Sequence, residues 1–407
     1  MNVLMLGNGF DLYYKLPTKY NNFLKVANFL REHYDSSTMK TVGDILGSTS
    51  LLEQDKFIDC CYKEHKNKYD RISLNTEQVQ IFLNLVKSNI WFDYLYTSFN
   101  KDVGWIDFEK EIVRITSVFQ DIFENLKGTH FELDMSQAEQ FYLLKKFNFF
   151  IKDHRMLVGG KITYNIDDRY LFEEPFGSKV YIVQKGAIIK ELFLKLQQLA
   201  ESFKLYLKIF VESTLPDEAD LLSNFKPHQA LLYADNVVTL NYTHTYESIY
   251  SEGTVFHLHG DTSYEIILGI NSDENDTVGT IDTSFVSFKK YYQRALYETD
   301  VDYLSWLRKK PQKENKINLV VMGHSLDITD QDIISALFDM AYKITILYHN
   351  DDAKASYIKN LITIFGMENF NLLRNEKFLS FMSVDGNFTA FANSMKNSSE
   401  AQLKTLL

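Results

Sequence analysis

The opening nine residues, Met-Asn-Val-Leu-Met-Leu-Gly-Asn-Gly, constrain this chain most. An apolar run that stops on Gly-x-Gly and leads towards a helix predicts a strand–turn–helix unit of a parallel α/β sheet. Glycines at such a turn let a phosphate approach backbone N–H groups while the following helix presents its positive end. The third glycine of the dinucleotide fingerprint is absent, because Leu12 stands there. A tight turn that needs glycine for its own backbone explains Gly7-Asn8-Gly9 equally well, and Asp11 is also a candidate helix cap. A helix is expected to start at Thr18.

The same sheet resumes far downstream. Short apolar runs occur at 236–242 (NVVTLNY), 255–260 (VFHLHG), 265–270 (EIILGI), 317–325 (INLVVMGHS) and 343–349 (KITILYH). Helix-like segments such as DQDIISALFDMAY and DAKASYIKNLITIF follow two of them. Strands alternating with helices predict a doubly wound, Rossmann-like parallel sheet. Between the first strand and the rest, TEQVQIFLNLVKSNIWFDYLYTSF, WIDFEKEIVRITSVFQDIFENL and KGAIIKELFLKLQQLAESFKLYLKIF carry apolar residues at helical spacing. The predicted organisation is an α/β domain of residues 1–35 and 235–407, interrupted by a mainly helical insertion at 36–234.

Three later strand ends carry polar residues. Asn241 ends one, where open α/β sheets bind ligands, and its amide can hold a sugar hydroxyl or a water. A turn-forming Asn is the simpler alternative. His257 and His259, two apart, share a face if the strand is regular. With His244 they offer a metal triad, but nothing in the sequence sets that third distance, so no metal is expected; His259 also suits a general base near neutrality. Gly323-His324-Ser325 ends another strand. A hydrolase elbow needs Gly two residues after the serine and Asp327 stands there, so a phosphate or ribose contact fits better, with helix capping by Asp327 or Thr329 as the alternative.

Composition narrows the partners. A net charge of −11 meets nucleic acid with a repulsive average field, and no strong basic patch offsets it. The two cysteines, Cys60 and Cys61, are adjacent and lack zinc-site spacing. No signal-peptide pattern opens the chain and charges interrupt every long apolar stretch, which predicts a cytoplasmic protein without a membrane partner.

Taken together, GNGFDLYYKLPTKYNNF, WIDFE (105–109), LNYT (240–243), HLHGD (257–261) and GHSL (323–326) resemble, in order, the signature of the bacteriophage abortive infection AbiH family. That resemblance implies a role in phage defence. The same motifs are distantly similar to sirtuins, whose Gly-Ala-Gly-x-Ser, Gly-Ile-Pro, Gln-Asn-Ile-Asp, Leu-His-Gly and Gly-Thr-Ser-Leu resemble Gly7 to Asp11, Lys15 to Pro17, Leu240 to Thr243, Leu258 to Gly260 and Gly323 to Leu326. The likeness implies NAD, or a related nucleotide, held by Gly7, Asn8, Gly9, Asp11, Pro17, Gly323, His324 and Ser325, with Asn241 and His259 catalytic. The sirtuin four-cysteine zinc module is missing, and Thr18-Lys19-Tyr20 replaces the sirtuin Asp-Phe-Arg, which removes the Phe over nicotinamide. Deacylation is therefore not expected. The implied reaction is hydrolysis of the nicotinamide–ribose bond; the alternatives are a non-catalytic nucleotide-gated sensor and, third, a nuclease-type toxin. A phage-derived trigger, a protein partner or a second copy of the chain completes the expected partners. Glu109 is expected to reach the site, face solvent or join an ion pair.

Overall fold

A computed structural model describes residues 1–99, 107–156, 159–173, 181–215, 228–250, 253–271, 283–299, 317–375, 378–389, 391–393 and 395–396. Trp105 and Ile106 of the WIDFE motif lie outside them, as does Pro216. The strands are β1 (Asn2–Leu6), β2 (His130–Asp134), β3 (Ile151–Met156), β4 (Lys161–Ile166), β5 (Leu171–Glu173), β6 (Tyr181–Val183), β7 (Asn236–Thr239), β8 (Thr254–His257), β9 (Ile317–Met322), β10 (Ala341–Tyr348) and β11 (Leu379–Ser383).

Six of them form one sheet in the order β11-β10-β9-β1-β7-β8, with every neighbouring pair parallel. Counted among themselves in chain order, these strands run 3-2-1-4-5-6 across the sheet, the order of doubly wound dinucleotide-binding folds. Every residue of β1, β7 and β9 is buried, as strands covered on both faces must be. One apolar layer gathers Val3, Met5, Val238, Leu319, Val321 and Ile346 against Ile334, Leu337 and Leu361 of the helices Gln331–Met340 and Asp351–Asn375. Among the described residues, no helix is long and apolar enough to cross a membrane.

The chain forms two compact units. The first comprises Met1–Phe82, Phe203–Ile267 and Arg294–Leu407, and holds the six-stranded sheet; the second comprises Leu83–Ser202 and Leu268–Gln293. The second unit contains the helix Phe108–Glu124 and the antiparallel three-stranded sheet β2-β4-β3, with the hairpin β5-β6. The helical periodicity between 76 and 213 is realised as Thr76–Val86, Ile90–Phe99, Phe108–Glu124 and Lys185–Phe210, but it gives no sign of β2 to β6. The first two helices part where Ser88 takes a positive φ of 66°. The run at 265–270 forms isolated bridges, Gly260 to Ile266 and Ile270 to Lys289, instead of a strand. After β1 comes a short helix, Asn8–Tyr13, and then Tyr20–His33. Thr18 does not cap the latter: its hydroxyl donates to Asn8 Oδ1 at 2.5 Å, while Asn22 Oδ1 accepts from the Lys19 amide at 3.2 Å.

Candidate functional site

The last rung of the sheet sets the site. Leu6 is in register with Met322 on one side and Thr239 on the other, and Thr239 with His257. One or two residues past that rung stand Gly7, Asn241, His259 and His324, so four adjacent parallel strands deliver the candidate residues to one edge.

Gly7 and Gly9 meet the turn that follows β9. The Gly7 amide donates to Met322 O at 3.1 Å and the Gly9 amide to Gly323 O at 2.7 Å. A Cβ on Gly9 would lie 2.7 Å from Gly323 Cα, and one on Gly323, whose φ is +72°, would lie 2.1 Å from the Phe10 nitrogen. The glycines here serve the close approach of two backbones, and the amides of Gly7 and Gly9 are already bonded. Asn8 and Ser325, at the tips of the two turns, are exposed. Pro17 is buried, its carbonyl accepting from the Tyr206 hydroxyl at 2.7 Å.

Asp11, 1% exposed, lies under the Asn241 end of the edge. The Thr243 hydroxyl donates to its Oδ2 at 2.7 Å, Thr245 donates to Thr243 at 3.1 Å, and Oδ1 has no hydrogen-bond partner. Burial pushes its carboxyl up to about 7, against the opposing influence of the Thr243, Thr245 and Asn241 side chains and the His257 ring. Asn241 is buried; its amide donates to Thr239 Oγ1 at 3.1 Å and its carbonyl accepts from His257 Nδ1 at 3.0 Å.

His259 and His324 share one carboxylate. His259 Nε2 lies 3.4 Å from Asp330 Oδ1, and His324 Nε2 lies 3.3 Å from Oδ2, all three residues being buried. The Leu326 amide donates to His324 Nδ1 at 2.9 Å, which in the neutral ring leaves the proton on Nε2, facing Asp330. Leu326 itself holds a left-handed φ of +55°, an uncommon conformation for a branched residue and a mark of local strain beside the site. Asp327 caps the turn Ile328–Asp330, accepting from the Thr329 amide, as its capping alternative predicted.

His257 closes β8 while His259 lies beyond it, so the two histidines join different groups. His257 Nε2 bonds Glu247 Oε1 at 2.7 Å. His244 Nδ1 bonds Glu212 Oε1 at 2.7 Å, and the Thr262 hydroxyl donates to the other Glu212 oxygen at 2.5 Å. Burial works against the charge on His257, but the Glu247 bond outweighs it and raises the ring above the usual histidine range; His244 is raised by the Glu212 bond. The partners move oppositely: burial opposes the charge on Glu212 and Glu247, but the histidine bonds hold both below their ordinary value.

The structure thus brings together Asp11 with Asn241, His259 with His324, and the Gly7–Gly9 turn with Gly323, while Pro17 is engaged with Tyr206. Sequence reasoning gave no role to Asp330, Glu212 and Glu247 and took Thr243 only as part of the LNYT motif; Thr243 and Glu212 meet partners 232 and 32 residues away, whereas Asp330 and Glu247 lie 6 and 10 residues from His324 and His257. Glu109 joins Lys290 at 2.7 Å within the second unit.

A family described as "Bacteriophage abortive infection AbiH" matches residues 3–349, from β1 to just past β10. No curated protein and no solved structure matches the chain. The match takes in every strand end of the site, and it carries a role in abortive infection of phage-attacked cells: the chain belongs to the bacteriophage abortive infection AbiH family.

Proposed function

We propose that this AbiH protein acts in the cytoplasm as a phage-defence enzyme that binds NAD or a related nucleotide at the sheet edge and hydrolyses the nicotinamide–ribose bond. The observation that carries the reading is the pairing, at one edge of a sheet with dinucleotide-fold strand order, of His259 held by Asp330 and a buried Asp11 beside Asn241. Perturbed titrating groups at a ligand edge are where acid–base chemistry is expected.

In that reaction the C1′–N bond breaks with both electrons going to the ring nitrogen, and neutral nicotinamide leaves. Water then bonds C1′ and gives up one proton. His259 would accept that proton, with Asp330, 3.4 Å from its Nε2, orienting the ring and balancing its charge. Asn241 would orient the water or ribose, and Asp11 would bond a ribose hydroxyl. Because the Gly7 and Gly9 amides are engaged, exposed Asn8 and Ser325 are the polar groups left to meet phosphate. The test is to incubate purified full-length protein with NAD and follow free nicotinamide and ADP-ribose; release by the wild type and its loss in His259→Ala support the reading, and absence of release from protein isolated during phage challenge rejects it.

The engaged amides favour a second reading, a nucleotide-gated sensor: a ligand that has to part the 7–9 and 323–325 turns would couple binding to a change of shape. Nucleotide binding without turnover would select it.

A further inference from the structure

His244, Glu247 and His257 offer three ligand atoms that all lie within 4.8 Å of one another. From this grouping, we propose that they form a divalent-metal site of the zinc class, with the two Nε2 atoms and the Glu247 carboxylate as protein ligands and a fourth position for solvent. The site stands independently of the nucleotide reading.

The hydrogen bonds behind the rings carry the argument. A carbonyl oxygen only accepts, so His257 Nδ1, 3.0 Å from Asn241 O, bears a proton. Glu212 Oε1, 2.7 Å from His244 Nδ1, fixes a proton on that nitrogen in the same way. Metal-binding histidines are commonly held like this, one ring nitrogen donating to a carboxylate or carbonyl while the other faces the ion. Of the remaining nitrogens, His257 Nε2 already lies 2.7 Å from Glu247 Oε1 and His244 Nε2 lies 3.7 Å from Asp261 Oδ1. The ring centroids are 5.2 Å apart. Zinc binds imidazole and carboxylate at about 2.0–2.2 Å, which modest side-chain rotation supplies. Glu212, Glu247 and Asp261 place three carboxylates around two histidines, a charge balance that a cation improves. Glu247 is exposed, so the ion has a route in. Two imidazoles with one carboxylate suit zinc above magnesium or calcium, which take oxygen ligands. Bound there, the ion would brace the β8 end to Asn241 through His257.

The experiment uses full-length protein stripped with chelator and titrated with Co²⁺ as a spectroscopic stand-in, then Zn²⁺ in competition. One Co²⁺ per chain with the intense visible bands of a four-coordinate ion, displaced by one Zn²⁺, is the expected result. Glu247→Gln should weaken binding tenfold or more, and Glu212→Gln, which acts only through His244, by a similar factor. Because Glu247 is exposed, its variant should fold, which circular dichroism checks. Stripped, folded protein that takes up no stoichiometric metal at micromolar free ion overturns the proposal. So does Glu247→Gln binding with wild-type affinity.

Discussion

The amide of Gly9 donates to the carbonyl oxygen of Gly323 at 2.7 Å, and so the turn after β1 is fastened to the turn after β9. This contact sits where the strand order reverses, the place where doubly wound folds bind ligands. A side chain on Gly323 would meet the Phe10 nitrogen and would also have to hold a positive φ. Gly323→Ala should therefore destabilise the first unit by about 2 kcal/mol or more in urea unfolding, with or without nucleotide. An unchanged midpoint would mean that the two turns are not in contact in solution.

Asp11 should make stability fall as pH rises. Its carboxyl ionises near 7 in the folded chain against an ordinary value of 3.8. Between those values the unfolded chain gives up the proton first, so the folded state loses stability as pH climbs, and the penalty is complete above 7. Asn has the same shape, accepts from Thr243 and carries no charge. Asp11→Asn is expected to gain up to about 4 kcal/mol at pH 8 and little near pH 4. Parallel stability curves for the two proteins across that range would remove the buried-carboxyl account. A gain in stability paired with loss of turnover would mark Asp11 as kept for function.

The His259–Asp330 pair should show its role in kinetics. His259→Ala is expected to lower NAD turnover by about a hundredfold or more, the usual scale for losing an acid–base group. Asp330→Asn, a change at a positioning residue, should lower kcat while KM stays nearly constant, and the double variant should be scarcely worse than His259→Ala. Loss of phage protection should accompany both. Stably expressed His259→Ala that protects cells as well as the wild type would leave the sensor as the better account.

The legible parts of the fold are those whose signal is local. β1 and β9 are fully buried parallel strands and so read as nearly continuous apolar runs, NVLML and INLVVM, each followed by glycine. Gly7, Asn241, His259 and His324 could be placed on one edge because each follows such a run. β11, LSFMS, is only partly buried and its polar alternation hid it, as did the mixed faces of β2 and β3. The run at 265–270 looked like a strand because burial alone, without a ladder, also selects apolar residues. What sequence could not supply is the set of pairings across long separations: Asp11 with Thr243, His244 with Glu212, and Glu109 with Lys290. Local patterns carry no information about which distant carboxylate will meet a given ring. The Gly-Asn-Gly turn is the instructive case, since a phosphate cradle and a backbone clasp need the same residue types, and only the bonded Gly7 and Gly9 amides distinguish them.

Glu109 and Lys290 yield the last prediction, confined to the second unit. The Lys290 ammonium is 3% exposed and lies 2.7 Å from the Glu109 carboxylate, which is 23% exposed. Removing one member takes away a close opposite charge from a buried or half-buried group, whereas replacing both with apolar residues of similar volume removes both charges together. Glu109→Leu alone should cost about 3 kcal/mol, and Lys290→Met alone somewhat less, because the partly exposed carboxylate regains water. The double variant Glu109→Leu with Lys290→Met should be more stable than the sum of its single changes predicts, a coupling that a double-mutant cycle in urea reads directly. Additive losses would show that the two side chains do not act as a pair. The double variant should also be assayed for phage protection: recovered stability with protection leaves the pair a structural role, and recovered stability without protection would assign Glu109 a direct part in defence.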